Sequence, residues 1–141
     1  MLSGCALFFP EGDKLIGVIP SDTGSDVRFR TVLPRRATAI KFHCEAPTSS
    51  LRGEDKVIIA LTNISTDRTI MVGKVGAWAT IAPHNGALLY EGTLTNLLGG
   101  EWLRISTWSG RASCELHVRF SPAPTLPKPI RVTCHYSSPP L

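Results

Sequence analysis

The sequence predicts an all-β fold: an antiparallel β-sandwich of jelly-roll-like type with a proline-rich C-terminal extension. Three observations carry that reading. Between Val57 and Phe120, short runs rich in β-branched and aromatic residues are cut at close intervals by turn signals. Asn63-Ile64-Ser65-Thr66-Asp67, Ala82-Pro83-His84-Asn85-Gly86, Leu98-Gly99-Gly100-Glu101 and Ser109-Gly110-Arg111 are each followed by another apolar run. Such spacing marks a sandwich or barrel. Apolar and polar residues also alternate strictly in two stretches, Ala37 to Glu45 and Cys114 to Phe120, which marks half-buried strands. No run has the length and periodicity of a substantial helix.

Taken in order, the region through Ser25 is expected to be irregular, because Ala6 to Phe9 and Leu15 to Ile19 are broken by Pro10, Gly12 and Pro20. Val27 to Val32 reads as a strand with Val27, Phe29 and Thr31 on one face and Arg28 and Arg30 on the other; Pro34 ends it. The next strand points Ile40, Phe42 and Cys44 inward and Lys41, His43 and Glu45 outward, and a polar loop from Pro47 to Asp55 follows. Val57 to Asn63 and Thr69 to Val75 look like a hairpin around a Ser-Thr-Asp turn. Trp78 to Ile81, Ala87 to Tyr90, Trp102 to Trp108 and Cys114 to Phe120 supply further strands, with room for one helical turn near Leu94 to Leu98.

After Phe120 the composition changes. Proline stands at almost every second position from Pro122 to Pro129, which favours a stiff, extended spacer. The expected organisation is therefore a sandwich over residues 1–120, then a proline-rich linker and a C-terminal arm or strand over 121–141. The alternating stretch Ile130 to Tyr136 either folds back onto its own sheet or adds to the edge of a neighbouring chain's sheet.

At 141 residues the chain suits one domain able to bury a core without disulfide or metal. Charged residues make up 18%, below the roughly 25% of an average soluble domain, as expected when a partner covers part of the surface. A formal charge of +4 is too small to indicate nucleic-acid binding without a basic stripe. One basic cluster, Arg28, Arg30, Arg35, Arg36 and Lys41, lies between Asp26 and Glu45 without an intervening acid. It reads as a solvated face or as a contact for an acidic partner.

The start, Met1-Leu2-Ser3-Gly4-Cys5, matches a bacterial lipobox but lacks the preceding basic and apolar segments of a signal peptide. No apolar run approaches the roughly 20 residues of a membrane span, so a soluble protein is expected. Cys44, Cys114 and Cys134 each fall in phase with the apolar face of a strand. They are expected to be reduced core thiols in a reducing compartment.

Motifs for chemistry are missing. His43-Cys44 and Cys134-His135 are strand neighbours that point to opposite faces, so neither pair chelates one ion. Cys-x-x-Cys, His-x-x-x-His and Gly-x-Ser-x-Gly do not occur. His84 precedes an Asn-Gly turn, and most acids stand beside glycine or in loops. Asn63-Ile64-Ser65 fits the N-glycosylation pattern and equally a turn. Trp78, Trp102 and Trp108 suit sugar stacking, core packing or a subunit interface, with Trp102 and Trp108 sharing a strand face with Arg104 and Ser106. No catalytic residue, cofactor or metal is expected.

The succession Leu61-Thr62-Asn63-Ile64-Ser65, Pro83-His84-Asn85-Gly86, Leu89-Tyr90-Glu91-Gly92 and Gly99-Gly100-Glu101-Trp102-Leu103 resembles the small β-sandwich accessory proteins of tailed-bacteriophage virions. The resemblance covers about residues 57–120 and rests on turns rather than on chemistry. It implies a non-enzymatic decoration or cement protein that binds the major capsid protein or another virion protein, forms a homo-oligomer (trimer or dimer), and resides in the virion after assembly in the host cytoplasm. Neither nucleic acid nor membrane is an implied partner. The alternative is a tail-fibre or tail-tip domain recognising host surface glycan; a small glycan hydrolase comes third. The expected partner interface comprises Arg28, Arg30, Arg35, Arg36, Lys41, Trp102, Trp108, Ile130, Val132 and Tyr136.

Overall fold

The computed structural model describes residues 11–47, 51, 55–74 and 76–137. The lipobox-like start, the apolar piece Ala6 to Phe9 and most of the polar loop before Asp55 lie outside them. The chain forms β1 (Glu11–Ile19), β2 (Asp26–Leu33), β3 (Ala37–Cys44), β4 (Lys56–Asn63), β5 (Ile70–Lys74), β6 (Ala77–Ile81), β7 (Gly86–Thr93), α1 (Leu94–Leu98), β8 (Trp102–Ser106), β9 (Ala112–Ser121) and β10 (Ile130–Ser137). The strands build a larger, six-stranded sheet in the order β1-β10-β3-β8-β5-β6 and a smaller, four-stranded sheet in the order β2-β9-β4-β7. Every pairing is antiparallel. Without the β5–β6 hairpin, successive strands alternate between the two layers except at β4 and β7, which pair with each other in the smaller sheet, and this is the jelly-roll arrangement.

The core lies between the sheets because period-two patterning gives each strand one apolar face. Ile40, Phe42, Leu103, Ile105, Ile130 and Val132 of the larger sheet share one buried cluster with Val57, Ile59, Leu61, Leu116 and Val118 of the smaller sheet. Helix α1 contacts β3 of one sheet and β7 of the other. Thr93 caps it by accepting from the Asn96 N–H, and Leu94 and Leu97 are buried.

Three expectations need correction. The stretch from Glu11 to Ile19 is the edge strand β1, not irregular chain. Its glycines are points of close approach rather than breaks: a Cβ at Gly17 would stand 2.3 Å from the Phe29 ring. The register against β10 shifts between Leu15 and Gly17, so the alternation is broken where a period-two reading would need it intact.

Strands β4 and β5 do not form a hairpin, since β4 pairs with β7 and β9 while β5 pairs with β6 and β8. The segment between them crosses from sheet to sheet, and fully buried Asn63 holds the crossing. Its Nδ2 donates to Arg68 O (2.8 Å) and Ile81 O (2.9 Å), and its Oδ1 accepts from the Ser65 N–H (3.0 Å). The amide of the glycosylation-like tripeptide is thus buried and engaged.

Of the two placements for the C-terminal strand, the structure has the fold-back one. β10 lies inside the larger sheet between β1 and β3. Pro124 and Leu126 are buried on the way, and the Leu126 N–H donates to Ser21 O (3.3 Å). The proline-rich segment is packed against the body and does not hold β10 off from it. Ile130 and Val132 are fully buried in the core, so they meet the chain's own second sheet and are unavailable to a partner.

Candidate functional site

Strand alternation turns one set of side chains of the larger sheet outward, where they form cross-strand rows in which Ala39, alone of the β3 members, is itself buried. In the first row Asp13 (β1) faces His135 (β10), which faces Ala39 (β3), which faces Arg104 (β8). Gly73 (β5) pairs with Trp78 (β6). In the second row Leu15, Thr133, Lys41 and Trp102 follow one another. Val18, Arg131 and His43 form the third.

Two tryptophans stand out from this face, Trp102 at 53% exposure and Trp78 at 43%. Each carries a cation on its ring. Lys41 Nζ sits 4.5 Å from the Trp102 centroid and the Arg104 guanidinium 4.8 Å from that of Trp78, within cation–π range. Gly73 makes the second stack accessible. A Cβ there would come 2.7 Å from Arg104 Cβ, so only glycine lets Arg104 lie across β5 toward β6.

Lys41 Nζ is also 3.4 Å from Asp13 Oδ1, which is 2.9 Å from His135 Nδ1. The His135 ring stands 5.8 Å from the Trp102 ring. The His135 hydrogen bond, assisted by Lys41, holds the Asp13 carboxyl below its ordinary range against a smaller opposing effect of burial. A shallow groove of about 560 Å³ runs beside Trp102, lined among others by Leu15, Lys41, Leu98, Glu101 and Arg131. Its charges are of mixed sign. The surface can stack on, and exchange charge-assisted hydrogen bonds with, a partner laid along the sheet.

The outer face of the smaller sheet is built differently. Arg28 Nη1 and Arg30 Nε grip the two oxygens of Glu115 at 3.0 and 3.2 Å. Asp26 Oδ1 receives His117 Nε2 at 2.6 Å and Arg119 Nε at 3.7 Å. Arg30, then Arg28, holds the Glu115 carboxyl below its usual range, and His117 does the same for Asp26. These two carboxylates and the cations around them satisfy one another.

The basic cluster of the sequence is therefore dispersed. Arg28 and Arg30 lie on the smaller sheet, Lys41 lies on the larger one, and Arg35 and Arg36 occupy the β2–β3 turn. Arg36 adopts φ 64° and lies 4.0 Å over the ring of Trp108. Trp108, 66% exposed, sits in the turn after β8 and not on the strand with Trp102. Thr107 fixes that turn to the β2–β3 turn: its Oγ1 donates to Pro34 O (2.6 Å) and accepts from the Ala37 N–H (2.9 Å). Tyr136 is half-buried at the β1–β10 pairing, where a Cβ on Gly12 would meet its hydroxyl. The face thus joins Lys41 and Trp102 and adds Trp78, Arg104, Arg131 and His135. Sequence reasoning placed Arg104 on the Trp102 face and named Trp78 among the candidate contact rings, but left both, with Arg131 and His135, out of the expected interface; what joins Trp78 to Arg104 is the Gly73/Trp78 register, readable only once β5 and β6 are paired.

Cys44, Cys114 and Cys134 are free and buried. Burial pushes the Cys114 and Cys134 thiols up to about 12, which suppresses the thiolate that would act as nucleophile or metal ligand. His84 occupies a turn at φ 69°. Among the described residues no three His, Cys, Asp or Glu side chains come together to hold a metal ion.

No protein-family profile matches the chain, and no curated protein does. Among solved structures, the crystal structure of the Cupin_2 domain of an XRE family transcriptional regulator from Enterobacter cloacae aligns with 77% of this chain and 95% of its own, at 18% identity and a TM-score of 0.45. That neighbour belongs to a transcriptional regulator and not to a phage particle. The decoration or cement reading, its tail-fibre alternative and the virion location are set aside accordingly. The likeness is too distant to bring a function with it.

Proposed function

We propose that this chain is a non-catalytic binding domain that engages a polypeptide partner through the outer face of its larger sheet. The observation that carries this reading is Trp102, more than half exposed beside a mixed-charge groove and backed by Lys41. Tryptophan and arginine are the residues most enriched at energetic centres of protein interfaces, and Trp102, Trp78, Arg104 and Arg131 share this face. The placement of the polar groups supports binding over turnover. The His–Asp contacts lie on outer faces rather than around an enclosed cavity.

Selection from a displayed library of random peptides tests the proposal. Peptides retained by the wild-type protein are expected to be lost from a Trp102→Ser variant and kept by an Arg28→Ala/Arg30→Ala variant of the opposite face. Equal retention by all three proteins, or turnover of a substrate by the purified protein, would contradict it.

A further inference from the structure

Beyond the face reading, with which it shares Trp78 but not Trp102, we infer that two copies of this chain join through β6, pairing antiparallel edge to edge so that their larger sheets become continuous. Among the described residues the sandwich has four sheet edges: β1 and β6 in the larger sheet, β2 and β7 in the smaller. Unpaired edges recruit other strands unless charge, bulges or a cover prevents it. Three of the four carry such protection.

β1 bears Asp13 and Lys14 and a register break at Leu15/Gly17. β2 bears Asp26, Arg28 and Arg30, and its Val32 carbonyl accepts from Lys14 Nζ at 2.5 Å. β7 is bulged where it meets β4 between Ile59 and Ala60, contains Glu91, and has its Leu88 carbonyl covered by Lys74 Nζ at 2.5 Å.

β6, though only five residues long, lacks charge, bulge and lysine cover among the described residues. Ala77-Trp78-Ala79-Thr80-Ile81 contains no charge and no proline, and it pairs with β5 through five consecutive residues without a shift. The hairpin that carries it is also the part added to the eight-stranded jelly roll.

The occupant follows from the register this strand offers to itself. Antiparallel pairing centred on Ala79 sets Ala79 against Ala79, Trp78 against Thr80 and Ala77 against Ile81. No charge opposes a charge, and the one large ring lies beside a small threonine. Trp78 already has Arg104 on one side; the second copy would cover what remains exposed. A charged or proline-bearing strand would forfeit that match, so a second copy suits this edge better than an acidic or basic segment.

Light scattering coupled to size exclusion, run on the full chain across a dilution series, tests the inference. The expected result is a mass of twice the 15.3 kDa chain at high concentration, falling toward the single-chain mass on dilution. Thr80→Lys, at an exposed outward position, should leave only the single-chain mass, whereas Glu91→Lys on β7 should leave the dimer intact. If Thr80→Lys loses its β-sheet circular dichroism, Trp78→Ser is read in its place. A wild-type protein of single-chain mass at every concentration would overturn the inference. So would a dimer that survives a folded edge variant. Neither result touches the Trp102 reading, which the peptide selection decides.

Discussion

The two outer faces of this sandwich solve the same problem differently. Each sheet must present one side to water. The smaller sheet carries on that side ion pairs that close on themselves, Glu115 between two arginines and Asp26 between His117 and Arg119, beside the exposed aliphatic side chains Val32, Ile58 and Leu88. The larger sheet leaves tryptophan rings standing out, each with a cation over it. Charges that already satisfy one another have little to gain from a charged partner. A face with exposed aromatic area and flanking charges gains on docking, because burying that area releases water while the cation–π contact survives in a drier setting.

The sharpest way to break this contrast is to remove Trp102. A central interface tryptophan is worth about 2 kcal/mol or more, roughly 30-fold in affinity. Trp102→Ser should weaken any selected peptide by at least about that factor in a fluorescence-anisotropy titration, with no change in fold by circular dichroism. The next largest effect is on the scaffold of the same face. Gly73→Ala places a methyl against Arg104 Cβ and should cost about 1–3 kcal/mol, as overpacking does, read as a lowered denaturation midpoint in urea.

Acid titrates paired carboxylates on both faces, Asp13 on the larger sheet and Glu115 and Asp26 on the smaller, so a Glu115 variant is needed to isolate the smaller one. The Glu115 and Asp26 carboxyls lie below their ordinary values of 4.5 and 3.8 in the folded chain. Their contribution to stability is therefore complete above those values and lost as pH falls through the lower folded ones. Thermal melts between pH 5 and pH 3 should show wild type losing more stability than Glu115→Gln. The smallest effect is expected from Arg28→Ala at neutral pH, since exposed ion pairs contribute little; its melting temperature and its peptide binding should both stay at wild-type values.

The core thiols give a complementary check at the other end of the scale. Raised from 9.0 to about 12 by burial, Cys114 and Cys134 favour the folded chain while neutral. That advantage is complete below pH 9 and declines as pH rises toward 12. Peptide mapping after alkylation at pH 8 should find both unlabelled in the native protein and labelled in denaturant.

Much of the fold is legible in the sequence, because alternation is local. Val27 to Val32, Ala37 to Cys44 and Cys114 to Phe120 each show their inward face directly, and the same phase places Cys44, Cys114 and Cys134 in the core. What local pattern does not encode is which sheet a strand joins. The Asn63 segment looks like a hairpin turn, yet its buried amide bridges Arg68 and Ile81 and sends the chain across the sandwich. The glycines of β1 look like breakers because their reason lies far away in sequence, at Phe29 and Tyr136.

The candidate site was half legible. Lys41 and Trp102 could each be placed outward, but their contact needs the β3–β8 pairing, and the Trp78–Arg104 stack needs three adjacent strands. Conversely, the basic cluster that is continuous in sequence is dispersed because β2 and β3 belong to different sheets. The resemblance to phage accessory proteins rested on turns, and turns recur wherever short strands are joined.

Amide hydrogen exchange of the full chain, with and without a peptide selected against it, tests the central claim most directly. Slowed exchange is expected in β3, β8 and β10 around Lys41, Trp102 and Thr133, with β2 and β9 unchanged. Protection on β2 and β9 instead, or none on either sheet, would contradict it.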